Sequence, residues 1–347
     1  MCDRFGGSAP AGQPDAARSG PVTTTERPAR VNSLYVFAGL LVVALVARPW
    51  IVETLGAPVV RTVATVFVAI CVQALPFLVL GVLVSGAIAA FVSPAALRRV
   101  LPSRTGAAVP VAGLAGLALP GCECASVPVA RRLIGQGVPE AAALAFLLAA
   151  PAVNPVVLVA TAVAFPGAPG MVVARAAGSL ATACVMGWLW QRAGKAEWIA
   201  ERVRTPVARG GNRWAVFAES ARHDLVSAGG LLVVGAVVAS CLSVLVPASW
   251  TAGLADQWLL AVLVMAVLAV VLALCSEADA FVAASLSAMP LVPRLVFLVV
   301  GPAVDVKLVA LQAGTFGRAF AARFAPATFV VAILCGLAAG VVVLGVR

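Results

Sequence analysis

The sequence predicts an all-α polytopic membrane protein of two inverted-topology repeats with broken helices and about eight to eleven transmembrane segments. Three observations predict it: an apolar composition that no soluble chain could bury, a match of the chain to itself at a fixed shift, and a charge bias that reverses between matching loops. Of 347 residues, 62% are hydrophobic and 11% charged, and the mean hydropathy is +1.06. Soluble domains run at roughly 45–50% apolar and 25% charged. The net charge of +10 does not point to nucleic acid, because it lies in connections between apolar runs rather than in a basic, aromatic-interleaved domain. Cytoplasmic loops of membrane proteins collect Lys and Arg in this way.

Residues 1–33 are rich in Gly, Pro, Ala, Ser, Thr and charge, and read as a disordered cytoplasmic tail. The first apolar run begins near Leu34, too late for a signal peptide and with no small-residue cleavage pattern after it. Residues 34–59 therefore read as a retained first transmembrane helix and its connection. Further apolar runs fall near 60–92, 107–122, 140–164, 169–191, 225–247, 257–275, 293–312 and 326–346. The run 60–92 is long for one crossing, so it is expected to tilt or to begin as an interfacial helix. Shorter segments near 125–138 and 277–290 follow distinctive cysteines. The resulting units are a membrane repeat at 60–191, a basic cytoplasmic linker at 192–223 and a second membrane repeat at 224–347.

The repeat shows when residues 124–154 are slid onto 275–305, a shift of 151 without a gap. Cys124 meets Cys275, Pro139 meets Pro290, Phe146-Leu147 meets Phe297-Leu298, and Pro151-Ala152-Val153 meets Pro302-Ala303-Val304. Asn154 falls on the near-isosteric Asp305. Upstream, Phe77–Gly81 resembles Leu231–Gly235 at a shift of 154. Loop charge orients the halves. The connection 93–106 carries Arg98, Arg99 and Arg104, whereas its counterpart near 248–257 has no Lys or Arg. Residues 165–170 are uncharged, whereas 313–325 hold Arg318 and Arg323. The linker 192–223 has seven Lys or Arg against three Glu. Matching loops thus lie on opposite sides of the membrane, with the N-terminus cytoplasmic, as in inverted repeats.

Such transporters bind cargo on helices interrupted at matching places. The matching interruptions are Pro120–Cys124 with Leu274–Asp279, and Ala150–Pro155 with Gly301–Asp305. Cys122 and Cys124 would diverge on a regular helix, but an unwound turn after Pro120-Gly121 brings both thiols to one side, and Cys275 completes a three-sulfur site. Thiolates select soft ions; the alternative is three ordinary buried thiols. Glu123, Glu277, Asp279 and Asp305 lie within or beside apolar segments, where a charge costs about 2.5–3.5 kcal/mol and normally marks an ion or proton path. Lys307 is placed to pair with Asp305. Pro151, Pro302 and Asn154 supply broken, polar backbone for cargo. Arg131, Arg132 and Arg175 are expected to snorkel to an interface, and His223 to be solvated. One histidine and no HExxH motif leave no zinc hydrolase, and no Walker A sequence is present. No enzyme activity and no cofactor are expected.

The stretch Gly121-Cys122-Glu123-Cys124-Ala125-Ser126-Val127-Pro128-Val129-Ala130-Arg131-Arg132-Leu133 resembles an uncharacterised family of bacterial permeases, UPF0718 (DUF318), which includes the organoarsenical efflux permeases. The segments Phe146–Pro155 and Gly301–Lys307 fit the same family, and the likeness spans roughly 60–346. The resemblance implies a multi-pass permease of the bacterial cytoplasmic membrane, with cysteines that handle trivalent arsenic at Cys122 and Cys124, joined by Cys275. Glu123 stands where the arsenical branch carries a small uncharged residue, which leaves room for a cationic or proton-coupled cargo. Some relatives work with a second membrane subunit. The expected function is a secondary permease exporting a soft, thiol-reactive cargo such as trivalent (organo)arsenic or a metal ion. The alternatives are a membrane thiol-redox protein, or one subunit of a two-component membrane permease complex. The expected partners are the lipid bilayer, the cargo and that second subunit.

Overall fold

A computed structural model describes residues 58–92, 102, 104–118, 123–204, 212–245, 257–272, 275–286 and 289–345. The tail 1–33, most of the segment 34–59, and Cys122 with the Pro120-Gly121 turn lie outside them. Among the described residues there are helices and no strands. Among the described residues, six helical spans are long and apolar enough to cross a membrane, two of them, Glu140–Ala164 and Leu291–Thr315, each made of two consecutive helices; two shorter helices are also apolar.

The first half runs α1 (Pro58–Phe91), α2 (Thr105–Ala115, extended by a 3-10 turn through Ala118), α3 (Glu123–Gly135), α4 (Glu140–Val153), α5 (Pro155–Ala164) and α6 (Gly170–Ala193). A 3-10 turn at Ala196–Trp198 and the short α7 (Glu201–Arg204) lead to the second half. There follow α8 (Arg213–Leu245), α9 (Trp258–Leu272), α10 (Ser276–Ser285), α11 (Leu291–Ala303), α12 (Val306–Thr315) and α13 (Arg318–Leu344). Six helices thus recur in the same order of long, short, short, short, short and long. α8 begins inside the segment that charge alone assigns to the linker. With 34 residues, α1 reaches about 51 Å, well beyond the ~30 Å hydrocarbon core, so it tilts or projects as expected. Helices of 11 to 15 residues reach only about 16–23 Å, less than that core.

Chemistry sets the breaks. Pro151 and Pro302 lie inside α4 and α11, two residues before the end of one and one before the end of the other, where a missing N–H weakens the last turn. Asn154 precedes Pro155, and a residue before proline is driven to extended backbone; its φ of −66° and ψ of 154° are extended. Asn154 Oδ1 accepts from the Val157 N–H at 3.0 Å and starts α5. Asp305, also extended, accepts from the Leu308 N–H at 2.6 Å and starts α12. The matched Asn and Asp therefore do the same local work, capping a new helix three residues on.

Packing crosses between the halves. α1 lies along α8, α6 along α13 and α4 along α11, while α3 meets α12 and α5 meets α10. Close approach depends on small residues. A Cβ on Gly81 of α1 would stand 2.5 Å from the Ala125 Cα of α3, and one on Gly235 of α8 would stand 2.8 Å from the Lys307 Cα of α12. These are the two glycines matched by the shift of 154. The two long helices thus press, backbone to backbone, on the two short helices that carry the candidate site.

Candidate functional site

The site forms where α3 of the first half meets α12 of the second. Glu123 is the first residue of α3 and Lys307 the second of α12, and both are about 1% exposed. Lys307 Nζ donates to Glu123 Oε1 at 2.8 Å and lies 3.5 Å from Asp305 Oδ2. One ammonium therefore serves two carboxylates from opposite halves. Glu123 also sits at the positive end of α3, where a carboxylate is favoured. The thiols of Cys124, on α3, and Cys275, just before α10, are buried and close enough to act electrostatically on the Lys307 ammonium.

Asp279, in the first turn of α10, is buried and lies within electrostatic range of Lys307, Asp305, Glu277 and Arg175. Its Oδ2 rests against Gly301 of α11, where an added Cβ would stand 2.6 Å away. Glu277 is half-buried in the same turn. Pro151 and Pro302 are buried beside the two caps. The structure thus gathers Glu123, Cys124, Cys275, Asp279, Asp305 and Lys307 about the breaks, and Asn154 Nδ2 donates to the Ala150 carbonyl at 3.2 Å. Cys122 lies outside the described residues. Among the described residues, no three His, Cys, Asp or Glu stand together as a metal-holding group.

Arg175 departs from expectation. It is fully buried rather than drawn out to an interface. Its Nη1 donates to Thr161 Oγ1 at 2.6 Å and its Nη2 to the Ser276 carbonyl at 2.7 Å. Acceptors on α5 and α10 hold the two terminal nitrogens of the guanidinium inside, while its buried Nε has no hydrogen-bond partner among the described residues. Arg131 and Arg132 also find a partner within the protein. Both meet the buried Asp224 of α8, at 3.3 and 3.0 Å, and Ser85 of α1 donates to the same carboxylate at 2.7 Å. That clamp ties α1, α3 and α8 together. His223 is exposed, as expected, 3.6 Å from Asp224. Sequence reasoning missed Thr161, Ser276, Asp224 and Ser85; the one available signal was a charge set in the apolar run 169–191.

Helices of membrane length and a buried ionic site between broken helices define a multi-pass α-helical membrane protein of the permease class. The chain belongs to the family described as "Predicted permease", whose model matches residues 59–341. It is 34% identical over 276 residues to the UPF0718 protein YcgR of Bacillus subtilis (strain 168), a match covering 78% of this chain and 93% of that protein. It is 31% identical over 283 residues to a Streptococcus mutans protein named "Putative two-component membrane permease complex subunit", covering 80% of this chain and 94% of that one. No solved structure gives a significant match. The family is the one the Gly121–Leu133 motif resembles, and it makes the chain a membrane permease.

Proposed function

We propose that this permease is a secondary transporter that exports a soft, thiol-reactive cargo, a trivalent organoarsenical or a soft metal ion, from the bacterial cytoplasm. The observation that carries the reading is the buried Glu123–Lys307–Asp305 group, which joins the break of one half to the break of the other. A buried charge group of this kind in a membrane chain is expensive and normally functional. Cys124 and Cys275, and Cys122 from outside the described residues, would take the cargo. A proton taken up by Glu123 turns its carboxylate into a neutral acid and removes its ion pair with Lys307. The α3–α12 contact then loosens, and the thiols become reachable from one side.

The halves would work as inverted repeats. In the first half, a Cβ on Gly116 would meet the Ala150 backbone, so the end of α2 lies beside the end of α4; a four-residue turn returns α3 to the start of α4. There Trp190 donates to Glu140 and Trp188 donates to the Gly106 carbonyl. In the second half, Gly301 near the end of α11 lies by Ala269 of α9 and Asp279 of α10, while Gly340 of α13 meets Val292 near the start of α11. Gly170 of α6 lies by Leu344 of α13. These contacts support an arrangement in which α2 and α3 approach the site from one face and α9 and α10 from the other.

The experiment is flux in everted membrane vesicles. Cys124→Ser and Cys275→Ser are compared with the parent protein, using a trivalent methylarsenical and zinc as probes. Accumulation of either probe that both substitutions reduce at least about tenfold supports the reading. Equal accumulation by all three proteins contradicts it. The name of the Streptococcus mutans relative supports a second reading, in which the chain is one subunit of a two-component permease. Flux that appears only when a co-purifying membrane protein is supplied would establish that arrangement.

A further inference from the structure

We propose that Arg175 is a positioning residue of the transport cycle and the counterpart of Lys307: each cation, supplied by one half, holds the first residue of the other half's short helix and keeps that half's break closed. The proposal rests on the same two breaks as the transport reading. Lys307, on α12 of the second half, reaches Glu123, the first residue of α3 in the first half. Arg175, on α6 of the first half, reaches the carbonyl of Ser276, the first residue of α10 in the second half.

The local geometry makes α10 dependent on that reach. Cys275 stands at the capping position of α10 and its side chain makes no capping hydrogen bond. Its carbonyl accepts from the Asp279 N–H at 3.0 Å, which closes the first turn on itself. Arg175 ties that turn to the first half through the Ser276 carbonyl. Its other arm is fixed by Thr161, whose hydroxyl donates to the Val157 carbonyl at 2.7 Å and leaves its lone pairs for the guanidinium. Arg175 is 0% exposed and its charge acts on Asp279 and Glu277 in the same first turn of α10. Two short donor contacts from one rigid fork, to α5 and to α10, fix the start of α10 against the first half. A lysine ammonium lacks that planar fork.

The two ties are made by different cations on different helices, so loosening one exposes chiefly the cysteine beside it, although the Lys307 charge reaches Cys275 as well. Cys275 adjoins the tie made by Arg175, and Cys124 adjoins the tie made by Lys307 with Glu123. In the intact protein, both thiols are buried, at 3% and 0% exposure.

The test is the rate of cysteine labelling by a charged, membrane-impermeant maleimide. It uses full-length chains in membranes, in which Cys275 or Cys124 is the one cysteine kept and the others are replaced by serine. Each variant is first shown to be monodisperse in detergent by size exclusion. Arg175→Gln is expected to speed labelling of Cys275 about tenfold, equivalent to about 1.4 kcal/mol lost from the closing equilibrium, and to leave Cys124 unchanged. Glu123→Gln is expected to do the reverse. Arg175→Lys, which keeps the charge, is expected to fall between the parent and Arg175→Gln, and carries the test if the glutamine variant does not fold. An equal rise at both cysteines shows a general loosening and overturns the proposal. No rise at Cys275 overturns it as well. The labelling needs no cargo, so a negative flux experiment leaves this proposal standing, and a negative labelling experiment leaves the flux reading standing.

Discussion

Replacing Lys307 by methionine removes the one ammonium that serves Glu123 and Asp305, and its cost can be worked from the distances. At 2.8 Å, attraction between unit charges at an effective dielectric of about 20 is about 6 kcal/mol, and at 3.5 Å it is about 5 kcal/mol. Those figures are gross, since the folded protein also bears the desolvation of all three groups. The net cost of breaking such a buried group by removing one partner is about 3–5 kcal/mol. Glu123→Gln leaves Lys307 with Asp305 and should cost less, and the double variant should cost less than the two singles together. The assay is reversible unfolding in mixed micelles on titration with a denaturing detergent, run as a double-mutant cycle. A coupling of about 2 kcal/mol between Glu123 and Lys307 is expected, within the range of contacting residues. Additive losses, or a loss below about 1 kcal/mol for Lys307→Met, would refute the reasoning.

Other substitutions separate packing from charge under the same titration. Gly235→Ala places a Cβ 2.8 Å from the Lys307 Cα and should destabilise, whereas Gly230→Ala on the same helix meets nothing within 4 Å and should be neutral or slightly stabilising by helix propensity. Asp305→Asn keeps the acceptor for the Leu308 N–H but drops the charge beside Lys307; Asp305→Ala drops both and should cost about 1 kcal/mol more. Asp224→Ala leaves Arg131 and Arg132 without the carboxylate that ties α3 to α8. It should cost about 2–3 kcal/mol, in the range for hydrogen bonds to charged groups, and Asp224→Asn should recover the part owed to Ser85.

Local signals in the sequence reached the breaks and not the partners. Pro151, Pro302 and Asn154-Pro155 act on their own backbone, so their spacing was enough to place interruptions where helices end. Asn154 and Asp305 read as cargo or proton groups; the structure adds that each caps the helix after it, and that Asp305 also lies 3.5 Å from Lys307. The Glu123–Lys307 pair joins residues 184 positions apart, and nothing along the chain indicates which helices the fold sets side by side. Arg175 shows the same limit. A cation in an apolar run reads as one that snorkels until acceptors on α5 and α10 are seen to surround it. Gly81 and Gly235 were visible as a matched pair, but only packing shows that each admits a neighbouring backbone.

The most direct test of the central claim is transport by the purified protein in proteoliposomes, with and without an imposed proton gradient, for the parent chain and for Glu123→Gln. Zinc and a trivalent methylarsenical serve as probes. The parent should move at least one of them faster with the gradient, and Glu123→Gln should retain exchange of that probe while losing its response to the gradient. A Glu123→Gln protein that responds to the gradient as the parent does would contradict the claim that the Glu123–Lys307 pair couples protons to transport.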